Sequence, residues 1–154
     1  MATISLSLDE IYKLANKTLL ANGCDQETAD ILSELITNAE RDGSLSHGLF
    51  RLPAYVSGLK SGKINGKQKP NIKKLTPSVI KADGKNCLAP VVLNKSIPEL
   101  VKAAKENGVA VLAIINSHHM AAMWPETEKI AEEGLVAFAC TSYKPAVAPA
   151  GAIK

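Results

Sequence analysis

Val109 to Ile115 reads VAVLAII, and the polar tetrad Asn116–Ser117–His118–His119 follows it without a break. The apolar run predicts a fully buried strand. A helix is predicted from about Ala121 to Glu133, closed by Gly134, and Leu135 to Cys140 predicts a second apolar strand. Strand, helix and strand in that order imply a crossover between two parallel, buried strands, hence an α/β fold. The tetrad then lies where a strand ends and a helix begins. That is where α/β sheets hold ligands, and a helix N-terminus favours anions.

Upstream of this unit, Ser78 to Ala82 reads as a short strand closed by the turn Asp83–Gly84. Val91 to Asn107 predicts helix in at least its second half, with Gly108 as the stop. Ser96 and Glu99 have capping-box spacing there, with Pro98 in the first turn. A helix that began earlier would carry Pro98 in its interior and be kinked by it.

Near the N-terminus, Ser7 and Glu10 form another capping box, and Leu8, Ile11, Ala15 and Leu19 follow at helical spacing. Asn22–Gly23 ends that helix. Asp25 caps a second one, which carries Ala29, Leu32, Ile36 and Ala39 on its apolar stripe and ends near Arg41. The short connection predicts an antiparallel pair that serves as scaffold.

Asp42 to Tyr55 reads DGSLSHGLFRLPAY. If it is helical from His47 onward, His47, Arg51 and Tyr55 recur every fourth residue and share one face. Such a face offers a proton carrier, a fixed cation and a phenol to one bound molecule. Arg51 could clamp a substrate carboxylate, and His47 could exchange a proton near neutral pH. The competing reading is a solvated helix face, and Pro53 falls inside the helix that either reading needs. Beyond it, Lys60, Lys63, Lys67, Lys69, Lys73 and Lys74 lie among Gly, Asn and Pro, which predicts a solvated loop. A nucleic-acid patch would call for interleaved aromatics, and none is there.

The 154 residues suit one compact domain, and 46% hydrophobic residues suffice for a core. With aromatics at 4%, that core must be aliphatic. A net charge of +3 does not by itself call for nucleic acid. Cys24, Cys87 and Cys140 are odd in number and lack C-x-x-C spacing, which fits a reduced cytoplasmic protein. Asp9 and Glu10 interrupt any signal-peptide pattern, and Val109–Ile115 is too short to span a bilayer, so no membrane association is expected. His47, His118 and His119 find no third partner at zinc-ligand spacing, so no metal is expected. G-x-S-x-G, G-x-G-x-x-G and G-x-x-x-x-G-K are all absent, which argues against an ordinary Rossmann enzyme. Cys140, at a predicted strand end, reads as structural.

The chain resembles the malate/L-lactate dehydrogenase-like family of NAD(P)-dependent oxidoreductases. The resemblance rests on D-G-x-x-S-H-G-x-x-R-x-x-x-Y at Asp42–Tyr55, N-G-V-A-V-L-A-I-I-N-S-H-H at Asn107–His119, A-E-E-G-L-V-A-F at Ala131–Phe138 and V-A-P-A-G at Val147–Gly151. The form N-S-H-H-x-A-A-x-W-P at Asn116–Pro125 looks most like the Δ1-piperideine-2-carboxylate reductase branch, with the ureidoglycolate dehydrogenase branch beside it. Cys87 and Ala89 stand where the family usually has glycine, and Met120 where it often has phenylalanine.

The resemblance implies a helical N-terminal segment over residues 1–75, carrying the Ser–His–Arg motif. It also implies an incomplete α/β cofactor-binding domain over 76–154, part of a non-Rossmann, largely antiparallel sheet. By motif, Ser46, His47, Arg51 and His119 match catalytic positions. Arg51 and Tyr55 match substrate-binding positions, and Ile115, Asn116, Ser117, His118 and His119 match a cofactor-contacting stretch. The implied cofactor is NADP or NAD. The implied reaction moves a hydride between nicotinamide and a 2-keto or 2-hydroxy acid or a cyclic imino acid, in a cytoplasmic homodimer. Family members are about twice this length, so the chain resembles their N-terminal half. Two alternatives stand beside this reading: a truncated, non-catalytic remnant that self-associates, and a weak basic nucleic-acid-binding module.

Overall fold

The protein is described here by a computed structural model covering residues 4–118, 121–141 and 151. The N-terminal capping box forms as its spacing predicts. Ser7 Oγ accepts the Glu10 N–H at 3.3 Å, and Glu10 Oε2 accepts the Ser7 N–H at 2.8 Å. Helix α1 runs Leu8–Ala21, and α2 runs Gln26–Arg41 with Asp25 as its cap. The short link through Gly23 folds α2 back on α1. Ile11, Ala15 and Leu19 are buried in one cluster with Ala29, Leu32 and Ile36. Asp30 Oδ1 joins the two helices by accepting from Tyr12 Oη at 3.0 Å and Asn16 Nδ2 at 2.7 Å.

The segment after α2 departs from a continuous helix. It makes two 3-10 turns, Leu45–His47 and Leu49–Arg51, before helix α3 at Leu52–Lys60. Pro53 lies in the first turn of α3, where its missing N–H costs nothing, so it starts the helix rather than interrupting one.

Strand β1 is Asn71–Thr76, β2 is Val79–Asp83 and β3 is Val111–Ile115. β1 pairs antiparallel with β2, placing Ile72 opposite Ala82. β2 pairs parallel with β3, placing Asp83 opposite Ile115. The crossover between the parallel strands is helix α4, Ala89–Asn107, and α5 follows at Trp124–Ala131. The sheet is therefore small and mixed, in the order β1-β2-β3.

Four expectations are corrected. First, the lysine-rich loop contains β1: Lys73 and Lys74 sit on a strand that is exposed at every position except the half-buried Ile72. Second, Leu135–Cys140 forms no strand. Val136 is fully exposed and Phe138 is 92% exposed, because no described strand offers them hydrogen bonds or cover. The parallel pair is therefore β2 with β3, joined through α4, and β3 is a half-exposed edge strand rather than a buried one. Third, α4 begins at Ala89 with Pro90 in its first turn. Ser96 is consequently interior, its hydroxyl buried and unpartnered among the described residues, and Pro98 lies inside the helix. Fourth, α5 starts at Trp124 rather than near Ala121.

One hydrophobic cluster unites α1, α2, α3 and the sheet. Tyr55, Ile64, Ala82, Cys87, Leu88, Val91 and Val92 belong to it together with the α1–α2 residues. The division expected at residue 75 falls inside β1. At the surface, Lys69 Nζ bridges Asp25 at 2.9 Å and Glu27 at 2.5 Å, and Lys95 also pairs with Glu27, fastening the start of α2 to α4. Among the described residues no helix is long and apolar enough to cross a membrane.

Candidate functional site

Two constellations carry the polar chemistry. The first is the pair of 3-10 turns. Ser46 Oγ and His47 Nδ1 lie 2.9 Å apart, an adjacent-residue contact that a 3-10 turn permits. The His47 ring meets Trp124 edge-on, with centroids 6.3 Å apart and an interplanar angle of 70°. Asp42 stands beside them. Its carboxyl is held below the usual range by the Arg41 guanidinium, with the Trp124 indole adding to the effect. Arg41 grips that carboxylate through Nε at 2.8 Å and Nη2 at 3.1 Å.

Arg51 is half-buried, and its Nε is fully buried without a partner among the described residues. Tyr55 is fully buried, and its hydroxyl likewise has no partner. Burial pushes the Tyr55 phenol up to about 12, while the charge of Arg51 pulls the other way. The expected common face of His47, Arg51 and Tyr55 is thus broken. His47 and Arg51 lie on separate 3-10 turns, and Tyr55 points into the core from α3. Because its hydroxyl is buried and unbonded, Tyr55→Phe is expected to keep stability or raise it by about 1 kcal/mol. Urea unfolding checks this, and a loss above about 2 kcal/mol would show that the hydroxyl is bonded in the folded protein.

The second constellation sits at the C-terminal ends of the two parallel strands. The turn after β2 and the stretch after β3 lie side by side. Gly84 N–H donates to Ile115 O at 2.9 Å, Asn86 N–H to Asn116 O at 2.8 Å and His118 N–H to Cys87 O at 3.1 Å. Ala89, at the start of α4, donates its N–H to His118 O at 2.9 Å. Gly84 is needed for this approach, since a Cβ there would lie 2.9 Å from Asn116 O and from Ser117 Cβ. Lys85, Asn86 and Asn116 all have positive φ, at 47°, 67° and 50°. Three non-glycine residues held in the left-handed region of two adjoining loops mark a backbone fixed by its surroundings. Asp83 Oδ1 accepts the Lys85 N–H at 3.0 Å and Asn116 Nδ2 at 3.1 Å, which keeps its carboxyl below the usual range.

Ile115 and Asn116 are exposed on this platform, and Ser117 and His118 are half-buried. His119 lies outside the described residues, as does Val147–Ala150 of the last motif. Trp124 links the two constellations, since it opens the helix after the second and packs on His47 of the first. Sequence reasoning missed Trp124, Gly84 and Glu40. The Glu40 carboxylate accepts the Leu49 N–H at 2.7 Å. Among the described residues no group of three His, Cys, Asp or Glu side chains could hold a metal ion.

A family model for malate/L-lactate dehydrogenase matches residues 6–154. The chain belongs to that family. It is 40% identical over 148 residues to a Δ1-pyrroline-2-carboxylate reductase of Ancylobacter novellus, covering 96% of this chain and 43% of that protein. It is 35% identical over 146 residues to a (2R)-3-sulfolactate dehydrogenase (NADP(+)) of Chromohalobacter salexigens, covering 95% and 44%. The crystal structure of Δ1-piperideine-2-carboxylate reductase from Pseudomonas syringae superposes with a TM-score of 0.82 at 39% identity, over 86% of this chain and 40% of that one. The chain thus spans less than half the length of these relatives, and its fold is that of the N-terminal half of the family's domain.

Proposed function

We propose that this chain carries the proton-transfer and carboxylate-binding groups of an NAD(P)-dependent oxidoreductase acting on a cyclic imino acid or a 2-keto/2-hydroxy acid. The observation that carries the reading is the Ser46–His47 contact at 2.9 Å, on the 3-10 turn that precedes the one carrying Arg51, in a chain of this family. Ser46 orients the imidazole through Nδ1. His47 supplies the proton that neutralises nitrogen or oxygen as the adjacent carbon is reduced. Arg51 binds the substrate carboxylate, and its buried, unpartnered Nε suits an anionic ligand. Tyr55 supports Arg51 from the core, and His119 is a second acid/base group.

The platform at the strand ends fits a polar cofactor without a glycine-rich loop. Its donors and acceptors are Asn116, Ser117 and His118, brought close by the absence of a side chain at Gly84. These residues with Ile115 and His119 would hold NADP or NAD, which supplies the hydride. The relatives' names favour an imine reductase with NADP. A homodimer in a reducing cytoplasm completes the proposal, and the free thiols of Cys24 and Cys87 in the core suit that compartment.

A second reading, a non-catalytic chain that self-associates, is favoured by the bare apolar side chains of Val136 and Phe138. The nucleic-acid reading is disfavoured, because Lys69 pairs with Asp25 and Glu27, and Lys74 lies 3.9 Å from Glu106. Titrating the purified chain into NADPH and into NADH, followed by nicotinamide fluorescence, tests the first reading. Saturable binding with a preference for NADPH is expected. Absence of binding to either dinucleotide would overturn the cofactor assignment for this chain.

A further inference from the structure

The turn that presents Ser46, His47 and Arg51 has modest backbone support of its own. His47 N–H reaches Ser44 O at 2.8 Å, Gly48 N–H reaches Leu45 O at a long 3.4 Å, and Arg51 N–H reaches Gly48 O at 3.0 Å. All three bonds are local to the turn. The start of the turn is tied to α2 by the Ser44 N–H, which donates to Ala39 O at 2.8 Å, and a second fastening to the scaffold comes at its midpoint. Glu40, in the last turn of α2, sends Oε1 to the Leu49 N–H at 2.7 Å. A carboxylate on a backbone N–H is a strong, directional bond. Gly48 makes the room for it. A Cβ at position 48 would lie 2.1 Å from that same oxygen, 2.5 Å from Glu40 Cδ and 2.7 Å from Cγ. The three nearest atoms to the missing side chain therefore all belong to Glu40, so the carboxylate occupies the space that a residue with a side chain would need.

We propose that Glu40 is a positioning residue for the Ser46–His47–Arg51 turn, locked into the notch at Gly48. The proposal rests on the reading in which those three residues act on substrate. It adds that their placement is set from α2 by a side chain that touches none of the reacting atoms. Reactive groups lose effectiveness when displaced by fractions of an ångström, so a tie of this kind sets how well the turn works.

The test compares wild type with Glu40→Ala, Glu40→Gln, Gly48→Ala and the double variant Glu40→Ala/Gly48→Ala. Amide hydrogen exchange is followed at Leu49, and the imidazole resonances of His47 are followed by NMR. Glu40→Ala is expected to speed Leu49 exchange by roughly tenfold or more and to move the His47 resonances, with Leu32 and Ile36 amides still protected. Glu40→Gln keeps an acceptor and should restore most of both signals. Gly48→Ala should reproduce the Glu40→Ala signature, because its methyl expels the carboxylate. The double variant should exchange no faster than Glu40→Ala alone, since the new methyl no longer meets an obstacle. Additive effects in the double variant, or unmoved His47 resonances in Glu40→Ala, overturn the proposal. Should Glu40→Ala fail to fold, Gly48→Ala against Glu40→Gln decides: a shifted His47 in the first with a near-native one in the second supports it, and any other pattern overturns it. None of these readouts needs turnover. An inactive chain would sink the functional reading alone, and an active one with an indifferent His47 would sink this proposal alone.

Discussion

Under the proposed function, His47→Ala is expected to lower the rate of NAD(P)H-dependent reduction by roughly a hundredfold or more, the usual worth of a positioned proton donor. The expectation follows from geometry. The imidazole is held at Nδ1 by Ser46 and at its edge by Trp124, so one ring orientation is favoured. Because His47 is half-exposed and outside the main core, the variant should fold as the wild type does. The deficit should therefore appear in kcat at unchanged melting temperature. A similar loss is expected for His119→Ala. If Arg51 binds the substrate carboxylate as proposed, Arg51→Ala should act mainly through KM, because that contact is common to ground and transition states. Steady-state kinetics over a range of substrate concentrations separate these cases. Wild-type rates for His47→Ala would remove the imidazole from the mechanism.

Leu32→Ala destabilises the fold by about 2–5 kcal/mol, the range for emptying a buried leucine site. Leu32 has no exposed surface and sits in the cluster shared by α1, α2 and the sheet. Helix α2 is held on both sides there, by α1 and by elements that pack across it, so the cavity cannot collapse cheaply. Against a total stability of about 5–15 kcal/mol, such a loss shifts the urea midpoint severely. A change below about 1 kcal/mol would mean that the helices repack around the gap.

The elements legible in the sequence were those with local chemistry at their ends. Ser7, Glu10 and Asp25 announce α1 and α2 because a cap is made by neighbours in the chain. Strand β1 was illegible for the opposite reason. NIKKLT becomes a strand through hydrogen bonds to β2, and its lysines face solvent. Leu135–Cys140 looked like a strand because its side chains are apolar, yet a strand needs a partner, and none of the described residues provides one. Pro90 was the true signal for the start of α4, obscured by the cap-like spacing of Ser96 and Glu99.

The candidate site divides along the same line. The Ser46–His47–Arg51 motif and the Asn116–His118 stretch could be picked out by residue type and resemblance. Their geometry could not. Pro53 looked like a flaw in one helix, and it proved to open another, which moved His47 and Arg51 onto 3-10 turns. Glu40 meets Leu49 and Trp124 meets His47 through tertiary contacts that no helical period predicts.

The shared core bears on how the molecule comes apart. Tyr55 and Ile64 lie in one cluster with Leu19 from the first helix and with Val91 and Val92 from the crossover helix. Because this cluster draws on every layer, melting is expected to be a single cooperative event, with coincident loss of helix signal and tertiary packing as the check. A core substitution such as Leu32→Ala is then expected to lower the melting temperature seen at Ser46 and at Asn116 alike, although neither residue belongs to the cluster.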